Sequence, residues 1–304
     1  MVGILTVNVR MIEKRLPPVR KAFIFIRILN CFIFAAMKKN QKKNRPLILV
    51  TNDDGITAPG LRALAETMQQ LGDVVVVAPD SPQSGMGHAV TLNHPLRIDE
   101  VEIADGLRGF QCSGTPVDCV KIAIDRIIHS KPDLCVSGIN HGSNSSINVI
   151  YSGTMSAALE GAIEGIPSVG FSLLNYSYNA DLSAARHYAK VIAGNVLKHG
   201  LQQGTLLNVN IPALPLSKNK SEKSIKGVKI CRQANAKWEE EFDERTDPNH
   251  RKYYWLTGKF KNYDKGEDTD VWALSHGYVS IVPVQFDLTA HHAIPFLNKF
   301  RFDV

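Results

Sequence analysis

Short apolar runs alternate with amphipathic stretches along most of this chain, and the alternation reads as strand, helix, strand. "PLILVT" (46–51) and "DVVVVAPD" (73–80) are almost wholly apolar, as buried parallel strands are. Between them Leu61, Leu64, Ala65, Met68 and Leu71 recur at helical spacing, with Pro59 in the first turn and Gly72 as a stop. Such a βαβ unit packs right-handed. "AVTL" (89–92), "LRIDEVEI" (96–103) and "LRGFQC" (107–112) predict shorter strands in a hairpin-like insertion. "SGTPVDCVKIAIDRII" (113–128) opens a helix with Thr115 as N-cap, Pro116 at N1 and Asp118 at N3. Strand "PDLCVSG", polar loop "INHGSNSSINVIY", helix "SGTMSAALEGAIEG" (152–165), strand "IPSVGFSL", helix "DLSAARHYAKVIAGNVLKHG" and strand "TLLNVNIP" follow. The fold class is therefore α/β, a doubly wound, mostly parallel, Rossmann-like three-layer sheet.

Beyond Pro215 the pattern changes. "SKNKSEKS" reads as a charged linker, and "GVKICRQ", "RKYYWLTGKF" and "GYVSIVPV" are β-rich. They predict antiparallel hairpins forming an arm, an extension spanning about 226–285 of a single domain over 46–304.

Charge alters the picture only at the start of the chain. The formal net charge is +6, yet residues 1–36 hold six Lys/Arg against one Glu, and "MKKNQKKNR" (37–45) adds five cations. Residues 46–304 thus carry 24 basic and 28 acidic side chains, a net of −4, which does not support a basic DNA- or RNA-binding face. Within the leader, "AFIFIRILNCFIFAA" resembles a signal-peptide core, but Arg27 interrupts it and it is short for a membrane span. The simpler expectation is that residues 1–45 stand outside the fold and that the start lies near Met37. Five cysteines without regular spacing argue against a disulfide framework or a zinc site and for a reducing, cytoplasmic setting.

Candidate chemistry collects where the predicted strands end. Asp53 and Asp54 follow the first strand, Ser84 follows the second, and Asn140 follows "DLCVSG". Two carboxylates, a hydroxyl and an amide carbonyl are hard oxygen donors, suited to Mg²⁺ or Mn²⁺, with Ca²⁺ as a substitute in crystals. Taken alone, Asp-Asp-Gly is an ordinary Asx turn; the coincidence of three strand ends is what suggests a cation site. Two helix starts share one form, Ser113-Gly114-Thr115 and Ser152-Gly153-Thr154. Free amides and a partial positive charge there favour an anion, although plain capping is the simpler account of Thr115. A cation beside the Ser152–Thr154 amides is the equipment of a phosphate-ester hydrolase. Asn52, Gly85, His88, Gly114 and Thr115 border these positions as accessory candidates, with His141 as a further loop histidine. "KYYWL" and Trp238 are aromatic enough to stack a base, or to pack an interface.

"ILVTNDDGI", "VVAPDSPQSGMGHAVTL", "CSGTPVDCVKIA", "PDLCVSGIN" and "YSGTMSAALEGA" together resemble the SurE (survival protein E) family of nucleotidases, from about residue 46 to "GYVSIVPV". The resemblance implies a SurE-like fold and metal-dependent hydrolysis of nucleoside 5′- and 3′-monophosphates, and also of short polyphosphate. It carries the metal ligands onto Asp53, Asp54, Ser84 and Asn140, phosphate binding onto Ser152, Gly153 and Thr154, and dimer or tetramer formation onto the C-terminal arm. Asp53 is the expected base that orients the attacking water, with a direct nucleophilic role the alternative. The family often reads N-x-G-x-N-x-G-x-D before its YSGT. Here Ser146 stands for the last Gly and Asn148 for the Asp. The rival reading is a non-catalytic, Mg²⁺-binding receiver-like domain. It lacks an acceptor Asp where the chain has Asn140 and a Lys after "PSVGFSL". A dinucleotide-binding fold lacks its glycine fingerprint.

Overall fold

The computed structural model describes residues 45–104, 106–215 and 224–302. The expected leader and most of the "SKNKSEKS" linker lie outside the described residues. In chain order the elements are β1 (Leu47–Thr51), α1 (Pro59–Met68), β2 (Asp73–Pro79), β3 (Ile98–Ala104), β4 (Leu107–Cys112) and α2 (Pro116–Ile122), which runs on as a π-turn over Ala123–Ile128. Then come β5 (Leu134–His141), α3 (Asn148–Tyr151), α4 (Gly153–Ile163), β6 (Ser168–Leu173), α5 (Ser183–His199) and β7 (Thr205–Ile211). The C-terminal part holds β8 (Gly227–Ile230), β9 (Ala236–Thr246), β10 (Lys252–Asn262), α6 (Asp270–Ser275), β11 (Tyr278–Gln285) and α7 (Ile294–Leu297).

Nine strands form one sheet in the order β3-β4-β2-β1-β5-β6-β7-β11-β8, and β9 and β10 pair separately. The centre is parallel, with Leu49 opposite Val75 on one side and Cys135 on the other. The sheet is antiparallel where β3 meets β4 and where β11 meets β7. Because side chains alternate along a strand, Ile48 and Val50 pack with Leu61, Leu64, Met68 and Ala189 beneath α1 and α5, while Leu49 packs with Cys119, Val120 and Ala157 beneath α2 and α4. Helices on both faces make the sheet doubly wound, as expected. Burying each such Leu or Val contributes about 1.5–3 kcal/mol.

Three expected strands differ. "AVTL" is not a strand, because the α2 cap takes its backbone: Ala89 O accepts from Thr115 Oγ1 at 2.7 Å and Thr91 N donates to Asp118 Oδ1 at 3.1 Å. "GVKICRQ" and "GYVSIVPV" contribute β8 and β11, which pair in parallel inside the main sheet instead of forming arm hairpins. The arm is β9–β10 alone, and β9 ("AKWEEEFDERT") is too charged to show strand periodicity.

Candidate active site

From β1 the chain passes through α1 to β2 on one side, then returns through α2 to β5 on the other, so strand order reverses between β1 and β5. Open α/β sheets hold ligands at such a reversal, beyond the carboxyl ends of the strands. Asn52 to Gly55 leave β1 in a tight turn. Gly55 has φ +98°, in the left-handed region that favours glycine. Asn52 Nδ2 donates to Gly55 O at 3.0 Å, which closes the turn and leaves Asn52 Oδ1 buried without a hydrogen-bond partner.

Asp53 is buried against the start of α4. Its Oδ1 accepts from Thr154 Oγ1, and a Cβ on Gly153 would stand 2.6 Å from Asp53 Cβ, so only glycine lets the helix approach this closely. Ser152 caps α4: its Oγ accepts from Met155 N at 3.0 Å. The loop after β2 is tied at both ends, through Gln83 N to Asp53 O at 2.8 Å and Gly87 N to Tyr151 O at 3.2 Å. Exposed Ser84 and Gly85, the latter with φ +76°, are thereby held between the β1 turn and the start of α4. A bulge at the end of β5, between Ser137 and Asn140, re-aims the strand. Asn140 Nδ2 donates to Gly142 O at 3.0 Å, which leaves its Oδ1 as the uncommitted oxygen. The next residue, His141, places Nδ1 3.3 Å from Asp54 Oδ2.

Burial pushes Asp53 up to about 6; the Thr154 hydroxyl opposes this, and the neighbouring Asp54 charge adds to it. Burial also raises Asp54, against the pull of His141. Two adjacent carboxylates raised by burial, beside an orphaned amide oxygen, form a donor set that matches a hard divalent cation. Among the described residues no three His, Cys, Asp or Glu side chains converge as a metal cluster, so the fit rests on carboxylates supplemented by Ser and Asn oxygens.

Residues 48–240 match the family described as Survival protein SurE. The chain belongs to the SurE family. It is 66% identical over 259 residues to the 5′-nucleotidase SurE of Christiangramia forsetii, covering 84% of this chain and 97% of that protein. It is 44% identical over 264 residues to the 5′-nucleotidase SurE of Phocaeicola vulgatus, covering 86% of this chain and all of that protein. The crystal structure of the Sure protein from Aquifex aeolicus superposes with a TM-score of 0.71 at 38% identity, over 83% of this chain and 98% of that one.

Within this SurE chain the accessory candidates separate. Thr115 forms a capping box with Asp118, and Gly114 has no room for a Cβ, which would meet Asp118 Oδ2 at 2.6 Å; both residues serve α2. His88 Nε2 faces buried Glu160 Oε2 at 2.9 Å, and Lys121 Nζ meets Glu160 Oε1 at 2.5 Å. Burial raises Glu160, but these two partners outweigh it and hold the carboxyl below its usual range. The two departures from the family pattern have local partners. Ser146, with φ +55°, donates its hydroxyl to Ala234 O at 2.8 Å, and its amide donates to Asp270 Oδ2 at 2.7 Å. Asn148 Oδ1 accepts from Trp238 Nε1 at 2.8 Å, so an amide here supplies the arm with an acceptor without a carboxylate. In the sequence His141 is one loop histidine among several. Only the β5 bulge, absent from any periodicity, brings it to Asp54.

Proposed function

We propose that this SurE chain is a metal-dependent phosphomonoesterase that removes phosphate from nucleoside 5′- and 3′-monophosphates, and from short polyphosphate. The observation that carries the reading is the meeting of Asp53 with the first turn of α4, beside Asp54, at the sheet's reversal point. Asp53, Asp54, Ser84 and Asn140 would hold Mg²⁺ or Mn²⁺. When bound, such an ion supplies Lewis-acid stabilisation of phosphoryl charge and eases ionisation of water. Asp53 orients the attacking water and takes its proton. The Thr154 hydroxyl fixes the rotation of that carboxylate. The Thr154 amide serves the Asp53 carboxylate and the Met155 amide serves the Ser152 cap, so the phosphate would be met by Ser152 and Gly153 at the positive end of α4. His141 steadies Asp54.

The same reading gives the arm an assembly role. Register places Trp238, Phe242, Leu256 and Phe260 on one face of β9–β10, and Phe242 and Leu256 are largely exposed. A lone two-stranded ribbon is marginal in water, so this face pairs with a second copy in a dimer or tetramer. Cys112, Cys119, Cys135 and Cys231 are buried and free, as thiols are in a reducing cytoplasm. Among the described residues no helix is long and apolar enough to cross a membrane.

The test is a phosphate-release screen over nucleoside 5′- and 3′-monophosphates and tripolyphosphate, with Mn²⁺ or Mg²⁺ and with chelator. Release from the nucleotides that chelator abolishes is expected. No release from any nucleotide with either metal overturns the reading.

A further inference from the structure

The loop that follows β6 carries two tyrosines that neither the fold nor the proposed chemistry uses. Tyr176 is 80% exposed and Tyr178 is 65% exposed, although both touch residues of the site. The Tyr178 ring stacks over His141, with centroids 6.2 Å apart and planes at 23°, and His141 is the residue that reaches Asp54. The Tyr176 ring lies so close to Gly142 that a Cβ there would stand 2.4 Å from its Cε1. Gly142 is in the left-handed region at φ +99°, and its amide donates to Leu173 O at 2.8 Å, which locks the end of β5 to the end of β6. The loop itself is closed by Asn175 Oδ1 accepting from Ser177 N at 2.9 Å, and by Ala180 N donating to Ser177 O at 3.1 Å. Two largely exposed aromatic rings thus border the site, Tyr178 one residue removed from Asp54 through His141, and Tyr176 beside Gly142, whose carbonyl accepts from Asn140 Nδ2.

A tyrosine ring offers a large apolar face and has only two side-chain torsions to order, so an exposed pair beside a site is suited to stacking. Rings held in place lose little entropy when they stack on a planar ligand. The geometry points to Tyr176 and Tyr178 as the nucleobase platform of this active site. The inference rests on the nucleotidase reading, and it assigns base recognition to the β6–α5 loop, not to the arm aromatics that sequence reasoning singled out. Trp238 is already committed, donating to Asn148 and packing edge-on to Phe260 at 5.5 Å. A stacking wall reads the face of a base and not its edge, so it accepts any base and favours the larger purines.

The test compares adenosine 5′-monophosphate with ribose 5-phosphate, which has the same phosphate and sugar and no base. Wild type, Tyr176→Ala, Tyr178→Ala and the double Phe variant are assayed in Mn²⁺. In the Ala variants KM for the nucleotide is expected to rise about tenfold, while kcat and both constants for ribose 5-phosphate stay within about twofold. The Phe variant is expected to keep the nucleotide KM, because the ring face survives. Equal changes for the two substrates, or none for either, overturn the platform. A second readout stands apart from turnover: quenching of 2-aminopurine riboside 5′-monophosphate fluorescence on binding, expected in wild type and weakened in Tyr178→Ala. Quenching that the alanine variants leave intact overturns the platform even if no phosphate is released. Absence of turnover with both esters, alongside quenching that the variants weaken, would leave the platform standing and sink the activity reading.

Discussion

The β1–β5 edge of the sheet and the β9–β10 arm are built in opposite ways. At the edge, residues remote in sequence meet in a buried space: Asp53 with Thr154, Asp54 with His141, and Gln83 with the Asp53 carbonyl. In the arm, an eleven-residue register runs without a break from Lys252 opposite Thr246 to Asn262 opposite Ala236, and its ion pairs, such as Lys252 with Glu244 at 2.7 Å, lie in water. Buried contacts of long sequence separation fix atoms tightly and tolerate little change. Exposed cross-strand pairs contribute well under 1 kcal/mol each and leave an apolar face that only a partner can cover. The proposed chemistry therefore falls to the first region and the proposed assembly to the second.

The largest expected effect tests the edge. Asp53→Asn should lower kcat by ~10³-fold or more, about 4 kcal/mol of barrier, with an unchanged far-UV spectrum. Near wild-type turnover would end the proposal that this carboxylate acts on the reaction. Next comes Gly153→Ala. The added Cβ meets Asp53 at 2.6 Å, so a misplacement approaching an ångström should cost ~100-fold in kcat/KM. Overpacking at this first helical position should cost about 1–3 kcal/mol as well, read as a lower melting temperature. A large loss of stability with intact kcat/KM would show packing, not positioning, to be the role of Gly153.

A smaller effect separates the edge from its support. Glu160 has a depressed folded-state pKa, so it contributes stability that is present above the ordinary carboxylate value and lost as pH falls through the folded value. Glu160→Gln should destabilise by about 1–2 kcal/mol at pH 7, and the gap should narrow in acid, as read by urea unfolding at both pH values. A gap that widens in acid would contradict the pairing with His88 and Lys121. The smallest catalytic effect is expected in the arm: replacing both Phe242 and Leu256 with Ser should shift sedimentation towards the monomer and leave activity per chain within about twofold. An unchanged mass would take the arm out of the assembly, and a collapse of activity would break the division between the two regions.

Legibility followed the same division. Asp53, Asp54, Ser84 and Asn140 stand out as candidates because buried parallel strands are apolar runs, and their ends are then easy to find. Thr115 with Asp118 was visible as a cap, since capping is a rule of three residues. β9 was not visible: its strand state comes from pairing with β10, and exposed positions carry no hydrophobic period. β8 and β11 are legible as strands but not as members of the main sheet, because nothing local says which sheet a strand will join. Tyr176 and Tyr178 carry no sequence signal, because nothing local says that the segment after β6 lies against His141 and Gly142.

The amino-acid order alone therefore determined the α/β class, the alternation of buried strands and amphipathic helices, the hard-oxygen character of the donors and the α2 and α4 starts. Each of these depends on interactions within a few residues or on side-chain chemistry itself. Tertiary structure alone decided that Gly153 admits α4 to Asp53, that a bulge turns His141 to Asp54, and that two tyrosines are pinned beside them. Those contacts join segments dozens to a hundred residues apart, and only the packing of the whole sheet sets such distances.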